Sequence, residues 1–513
     1  MGTGVFTLND LIGQIKAIRS NADIKLIERA FAVADAAHKG QKRMSGEPYI
    51  QHPLNTAMIL VEMHAPDSVV AAALLHDVPE DTNVTLDEIE EKFGKDIASM
   101  INGISKVGKI KYRGVERYIE NLRKMFVAMA NDIRVIIIKF ADRLHNLQTL
   151  DSLPQKKAYR IALESLEIYA PIAGRLGMNE IKGRLEDAAF KYVLPKEYEW
   201  TLDLSTRATT NKQPYIQKIV EQIREELFKD GIQYIDIHGR YKHLYSLYRK
   251  LLKYGRDVTK IYDFTAIRCI LPTTADCYAA LGIIHSRWTP LKGRIKDYIS
   301  QPKPNGYQSL HTTVFYDRGS IVEFQLRTPE MHESAEFGIA AHWSYDEVKG
   351  KQFVADRFKH MLDAEKEIEW ISQLAVLQNT IKDKKEFLDS LEELKLDVFR
   401  DRIFVYTPKG DVIDLPEDST PIDFAYHIHT DIGNTCSAAK VNGMIHPLDQ
   451  ALKSGDIVEI ILDKSRKGPN PDWLRFAKTR HAKSKIRQYA RAGLANWIKG
   501  VIPHAMRKKT KNK

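Results

Sequence analysis

At 513 residues, 43% hydrophobic and 28% charged, the chain has a globular composition and a length for three or four domains, which excludes a disordered or fibrous class. It shows no signal-peptide layout in MGTGVFTLNDLIGQIK, no apolar run near the ~18 residues that span a bilayer, and three cysteines too scattered for a disulfide framework or zinc site, so a cytoplasmic protein with no membrane partner is expected. The net charge of +10 is uneven: Lys464 to Lys513 holds sixteen Lys/Arg against Asp472 alone, a net +15, leaving −5 for the rest.

From about Ile24 to Pro195 the pattern is helical. Ile27, Phe31 and Ala34 fall at i, i+4 and i+7, the spacing of one buried face. Thr85-Leu86-Asp87-Glu88 reads as a capping box opening a helix that stops at Gly94. Asn131 to Thr149 predicts a long apolar helix. His76-Asp77 ends the apolar stretch VVAAALL, with His52 upstream in YIQHP and Asp142 downstream in KFADRLHN. Two imidazoles and two carboxylates from separate helices can converge on one divalent ion, and mixed N/O ligation suits Mn²⁺, Fe²⁺ or Zn²⁺. Glu80 and Asp81 are placed to flank a water on that ion, one of them as general base. Arg43 and Ser45 lie shortly before His52, and Asn146 and Thr149 share roughly the helix face of Asp142, which makes all four candidate substrate contacts.

Gly231 to Tyr345 changes character. IQYIDIH predicts a strand, HLYSLYRKLLKY a helix, AIRCILP a strand, Tyr278 to Trp288 a helix, TTVFY and IVEFQLR strands, and AAHW the end of a helix. This is an α/β domain with a mixed sheet. In IVEFQLR, Glu323 and Gln325 share one face while Val322, Phe324 and Leu326 share the other, and a carboxylate in such a strand needs a partner. Asp263 begins the neighbouring run YDFTAIRCIL, and the two carboxylates together could bind Mg²⁺ on a nucleoside triphosphate. Arg240, Lys242 and Lys250 are expected at the start of a helix and along it, as phosphate ligands. The absence of a Walker A loop argues against a P-loop kinase. Between these elements, KGRIKDYISQPKPNGYQSLHTTV combines Arg294, Lys296 and Lys303 with an exposed-looking Tyr307 and His311, charge for phosphates and a flat ring for a base.

Phe353 to Phe399 predicts a charged helical spacer. RIFVYTPKGDVIDLP predicts a hairpin, followed by a short helix and the strand DIVEIIL, a β-grasp-like module. The basic tail interleaves Trp473, Phe476, Tyr489 and Trp497 with its cations, a composition for RNA phosphates and stacked bases or for a solvated amphipathic helix.

These blocks together resemble the RelA/SpoT family of long alarmone synthetase/hydrolases, over roughly Ala22 to Arg491. The match rests on the His/Asp set, GRYKHLYSLYRK, RIKDYISQPKPNGYQSLHTTV with VEFQLRT, and TPKGDVIDLPEDSTPIDFAYHIHTDIGN. The resemblance implies a multidomain α and α+β chain: an all-helical HD hydrolase domain over residues 1–195, a nucleotidyltransferase-like mixed-sheet synthetase domain over 196–345, a helical linker over 346–397, a β-grasp TGS domain over 398–464, and a basic helical segment over 465–513. It implies two opposed reactions, pyrophosphate transfer from ATP to the 3′-hydroxyl of GDP or GTP, and hydrolysis of the resulting (p)ppGpp. His52, His76, Asp77 and Asp142 would hold Mn²⁺, with Glu80 and Asp81 handling water and Arg43, Ser45, Asn146 and Thr149 lining a guanosine pocket. Asp263 and Glu323 would hold Mg²⁺, Glu323 also activating the 3′-hydroxyl. Arg240, Lys242 and Lys250 would meet the ATP phosphates, Tyr307 the acceptor guanine, and Lys303, Asn305 and His311 the acceptor's phosphates and ribose, with Ser246 and Gln325 also substrate-binding. The basic tetrad that includes Arg294 and Lys296 has the form of bifunctional members.

Pro79 and Met44 depart from the family pattern, and the chain ends within the helical segment, short of the family's cysteine-containing and ACT-type modules. The TGS module, with His427 and His429, and the basic tail would meet the ribosome and deacylated tRNA. Two rival readings stay open: a hydrolase with a weak synthetase, and a ribosome-bound sensor with little chemistry of its own.

Overall fold

The structure is a computed structural model that describes residues 5–108, 125, 128, 131–257, 265–303, 306–316, 321–342, 402–409, 412–453, 455–463, 465–466, 468–479 and 481–489. Its residues fall into two compact units, 1–380 and 381–513, each taken by itself. The predicted spacer over 353–399, Asp263, Asn305 and the tail beyond Tyr489 lie outside the described residues.

The first unit opens with helices. Thr85 caps the helix Leu86–Phe93 through a reciprocal bond with Glu88, and Gly94, at φ +87°, ends it. In the helix Ile24–Ala37 the fully buried positions are Ile27, Ala30 and Ala34, with Phe31 half-buried beside them. The helix Asp67–Leu75 is buried at every position but Ser68 and stops at His76, because Pro79 lacks the N–H that a continuing helix needs. One separate turn, Val78–Asp81, follows, with Pro79 in its first two positions. The long helix Ile133–Gln148 starts at the Asp132 cap and buries Asp142 and His145 along with its apolar face.

The sheet of this unit runs β1-β2-β5-β4-β3, with β1 Asp236–Tyr241, β2 Thr265–Ile270, β3 Lys296–Asp297, β4 Leu310–Phe315 and β5 Ile321–Arg327. β2 and β5 are parallel, while the other neighbours are antiparallel, so the sheet is mixed as expected. Two sequence expectations shift. The first strand starts at Asp236 and takes in Gly239 to Tyr241, so Arg240 stands on a strand, opposite Ala266, and not at a helix start. Gly239 allows this because Ile216 packs where its Cβ would be, at 2.6 Å. The last helix, Pro329–Phe337, stops before AAHW at Gly338, whose φ of +55° leads into a 3₁₀ turn.

Strand alternation gives the sheet two unlike faces. Ile237, Ile267, Cys269, Leu310, Val314, Val322, Phe324 and Leu326 face a core shared with the helices Pro195–Lys229 and Thr274–Arg287. At roughly 1.5–3 kcal/mol per buried aliphatic side chain, this face anchors the domain. The ladder partners Lys296, His311, Gln325 and Arg268 run in one row across the opposite face, and Arg240, Ala266, Glu323 and Thr313 in the next.

The helix Asn179–Val193 ties the helical part to the sheet. His243 lies so close to Gly183 that a Cβ there would come within 2.2 Å of its ring, and it bridges Asp187 at 2.9 Å and Glu180 at 3.6 Å. Burial alone would lower the His243 pKa, but hydrogen bonds to Asp187 and Glu180 outweigh it and raise it to about 9. A raised pKa stabilises the fold while the ring is protonated, so the contribution is complete below the ordinary 6.5 and is lost as pH climbs through about 9. Between about pH 6.5 and a pH above 9, thermal unfolding should therefore weaken more for the wild type than for His243→Gln, by on the order of 2 kcal/mol. Parallel pH profiles for the two proteins would remove His243 from this role.

In the second unit, β6 Arg402–Tyr406 and β7 Val412–Pro416 form the predicted hairpin, and the helix Pro421–Ile428 packs Phe424 over Val405, Leu415 and Val458. β8 Cys436–Val441, β9 Met444–His446 and β10 Val458–Leu462 complete the module, with a parallel bridge from Tyr406 to Ile457 joining the two sheets. Of the two readings of the basic tail, stacking on bases does not extend to Trp473 and Phe476. Trp473 is buried with Ile422, Tyr426, Ala477, Ala482 and Ile486, and Phe476 packs against the same cluster. Arg466 lies over the Trp473 ring at 4.6 Å, so that cation serves packing. The buried Asp423 carboxylate fastens the segment by accepting from the Lys478 and Thr479 amides at 2.8 and 2.7 Å.

Candidate functional site

Two polar sites stand out in the first unit. The first lies among the helices. Among the described residues, His52, His76 and Asp142 offer ligand atoms within 4.8 Å of one another, all three buried. Asp77 joins them, its carboxylate oxygens 3.4 Å from His52 Nε2 and 3.2 Å from His76 Nε2.

The tautomers follow from the partners. His76 Nδ1 lies 2.6 Å from the Ala73 carbonyl and must donate to it, which leaves a lone pair on Nε2, a buried atom with no hydrogen-bond partner. His52 Nδ1 faces His145 Nδ1 at 2.8 Å, and Arg43, which can only donate, approaches the same His145 nitrogen at 3.1 Å. His145 Nδ1 is therefore the acceptor, and His52 carries its proton on Nδ1 and its lone pair on Nε2. That lone pair points toward Asp142 Oδ1 at 3.2 Å and Asp77. The two lone pairs thus face the Asp142 and Asp77 carboxylates, a donor set that fits a divalent cation.

The electrostatics agree. Burial pushes the His52 pKa down, and burial together with the neighbouring Arg43 drives His145 to about 2, so the His145 ring stays neutral. Burial would raise Asp142, but Lys139, 2.6 Å away, holds it well below the usual carboxylate range. The Tyr49 hydroxyl reaches both Asp77 at 2.9 Å and Asp81 at 2.7 Å, linking the ligand set to the turn beyond it. Asp81 is thus tied to the site, while Glu80 is exposed on the same turn.

Beside this centre opens a cavity of about 490 Å³. Arg43, Ser45, Asn146 and Thr149 all line it with Asp142, as do Lys42, Met44, Arg143, Lys157 and Arg160. Arg43 donates to Asn146 Oδ1 at 2.6 Å, and Asn146 donates to Asp142 at 2.6 Å, so the pocket wall is bonded to the metal-ligand set.

The second site is the polar face of the sheet, a cavity of about 370 Å³. Arg240, Lys242, Ser246, Lys296, Lys303, Tyr307, His311, Glu323 and Gln325 line it. The helix Asn179–Val193 supplies another wall through Asn179, Lys182 and Glu186. Lys250 and Arg294 lie outside the lining. The ring of Tyr307 is half-buried, in contact with Tyr298 and His311, with Lys303 Nζ 5.0 Å from its centroid. Burial, then the nearby cations led by Arg327, holds His311 far below the usual imidazole range, so its ring is neutral. Glu323 accepts from Gln325 at 2.8 Å, and the strand that follows Asp263 runs beside it, with Ala266 its ladder partner.

Residues 30–179 match the family described as HD domain, 239–350 the region found in RelA / SpoT proteins, and 403–462 the TGS domain. The chain is 45% identical over 471 residues to a GTP pyrophosphokinase of Myxococcus xanthus, covering 91% of this chain and 60% of that protein. It is 46% identical over 464 residues to a guanosine-3′,5′-bis(diphosphate) 3′-pyrophosphohydrolase of Aquifex aeolicus, covering 90% and 64%. A bifunctional (p)ppGpp synthase/hydrolase SpoT of Escherichia coli is 44% identical over 466 residues, with 91% and 64% covered. The chain belongs to the RelA/SpoT family. It spans about three fifths of the length of these RelA/SpoT relatives.

Sequence reasoning on this RelA/SpoT chain passed over several residues that the fold brings into the sites. His145 and Lys139 stand three residues either side of Asp142, a spacing that puts them on its helix face. Tyr49 sits three residues before His52 and had the signal of an aromatic beside a ligand. Tyr298, Arg327 and the wall from Asn179–Val193 carried no local signal, because only the tertiary fold delivers them.

Proposed function

We propose that this chain is a bifunctional alarmone enzyme of the cytoplasm, a stringent-response regulator that makes and breaks (p)ppGpp. The observation that carries the reading is the presence of two separate polar cavities in one unit, one beside a His/Asp donor set and one on a cation-lined sheet face. The names of the relatives supply both halves of the chemistry.

In breakdown, His52, His76, Asp77 and Asp142 would hold Mn²⁺, which makes a water acidic and offsets charge on the leaving pyrophosphate. Arg43, Ser45, Asn146 and Thr149 hold the guanosine, and the cations of the cavity, Arg143 and Lys157 among them, face the phosphates. Asp81, held by Tyr49, or Glu80 on the same turn takes the proton of the attacking water. The O–P bond to the 3′-oxygen breaks, giving GDP or GTP and pyrophosphate.

In synthesis, Asp263 and Glu323 would hold Mg²⁺, which spreads the charge of the ATP phosphates. Arg240 and Lys242 bind those phosphates, with Ser246 beside them and Lys250 further back on its helix. Tyr307 stacks on the guanine of GDP or GTP, while Lys303, Asn305, His311 and Gln325 hold its ribose and phosphates and Lys296 borders the acceptor. Glu323 draws the proton from the 3′-hydroxyl, the oxygen attacks the β-phosphorus of ATP, and AMP leaves. The β-grasp module and basic tail, residues 398–513, would bind deacylated tRNA on the ribosome.

A paired assay tests the reading. Labelled ATP with GDP and Mg²⁺ should yield labelled ppGpp plus AMP, and ppGpp with Mn²⁺ should yield GDP plus pyrophosphate. Breakdown without synthesis would leave a hydrolase with a weak synthetase. Neither reaction, beside salt-sensitive RNA binding, would leave the sensor alone.

A further inference from the structure

Arg327 is the last residue of β5, fully buried, and among the largest side chains with no exposure. Its guanidinium can donate but never accept. Nη2 donates to the Tyr307 hydroxyl at 2.8 Å and to Gln325 Oε1 at 3.2 Å. Those two bonds fix what comes next. Having accepted from Arg327, Tyr307 sends its own proton to His311 Nε2 at 2.8 Å, and the opposite ring nitrogen, Nδ1, faces Glu323 Oε1 at 3.6 Å. Gln325, with its oxygen taken, turns its amide nitrogen to the same Glu323 Oε1 at 2.8 Å. One nitrogen of one buried cation therefore holds both Tyr307 and Gln325, and through them one bonded arm reaches Glu323 Oε1 while the other brings His311 to within 3.6 Å of it. On its other side, Nη1 leans on Glu336 at 3.4 Å, which also takes Arg268 at 2.7 Å, so the guanidinium is held from behind.

We propose that Arg327 is a positioning residue for pyrophosphate transfer, orienting Tyr307 and Glu323 together although it stands behind the residues assigned to substrate. The inference rests on the synthetase reading above. A planar fork reaching two acceptors at a fixed angle is what arginine supplies and lysine does not. Misplacing a reacting carboxylate by about 1 Å can cost about 100-fold in rate.

The experiment compares the full chain with Arg327→Met, Arg327→Lys and Tyr307→Phe, measuring kcat and KM for ATP and for GDP in synthesis, with ppGpp hydrolysis as the control for folding. Arg327→Met should lose about 100-fold in synthesis kcat and raise KM for GDP, with KM for ATP and hydrolysis within about twofold of wild type. Arg327→Lys should recover only part of that loss. Tyr307→Phe keeps the stacking ring and cuts one arm, so kcat should fall about tenfold with KM for GDP nearly unchanged. Should Arg327→Met lose hydrolysis as well, through misfolding, Tyr307→Phe decides the matter alone. Wild-type kcat in Tyr307→Phe, or in a folded Arg327→Met, overturns this inference and leaves the synthetase reading standing. A wild-type chain that makes no ppGpp overturns both.

Discussion

Replacement of His76 by alanine is expected to abolish ppGpp breakdown while pyrophosphate transfer continues at the wild-type rate. The ring is buried, its Nδ1 is committed to the Ala73 carbonyl, and its Nε2 has no hydrogen-bond partner and lies 3.2 Å from the Asp77 carboxylate, in the donor set. Without it, the remaining donors are one imidazole and two carboxylates, with Lys139 paired to Asp142 alone. A bound cation contributes several kcal/mol to such a reaction, and each ~1.4 kcal/mol is tenfold, so a loss of about 10³-fold or more is expected. Manganese titration monitored by calorimetry should show weaker binding by the variant. Hydrolysis surviving at a tenth of the wild-type rate would mean that the ion sits elsewhere.

Glu323→Gln should do the converse. The amide keeps the size of the side chain but cannot take a proton from a 3′-hydroxyl and is a poor ligand for a hard cation. General-base assistance is worth about 10²–10⁴-fold, and synthesis should fall by that factor with hydrolysis intact. The position has no structural need for a charge. Its neighbours Gln325 and His311 could bond an amide, and the apolar residues of β5 face the other way. A variant that retains half the wild-type synthesis rate would assign the proton to another group.

Much of this architecture is legible in the chain itself where the signal is local. The Thr85–Glu88 box, the stop at Gly94 and the alternation of IVEFQLR all reflect contacts within a few residues, and all appear where the pattern puts them. The four residues proposed for the helical site also come together, because three lie at or near ends of apolar helices whose packing the pattern predicts. Elsewhere long-range packing decided. Arg240 moved from a helix to a strand because β1 pairs with β2, a partner about 30 residues away that no local propensity specifies. Trp473 among cations looked like a base-stacking residue, yet burying its ring against Tyr426 and Ile486 outweighs display to solvent. His145 escaped notice because its role, accepting from both His52 and Arg43, depends on segments about a hundred residues apart.

The close approach of Gly183 and His243 has a mechanical meaning. The helix Asn179–Val193 contributes Lys182 and Glu186 to the sheet cavity and packs along the helix that carries Asp142. It is a party wall that neither chamber owns. A side chain at position 183 any larger than hydrogen would run into the His243 ring, so the smallest residue in the alphabet sets how closely that wall seats.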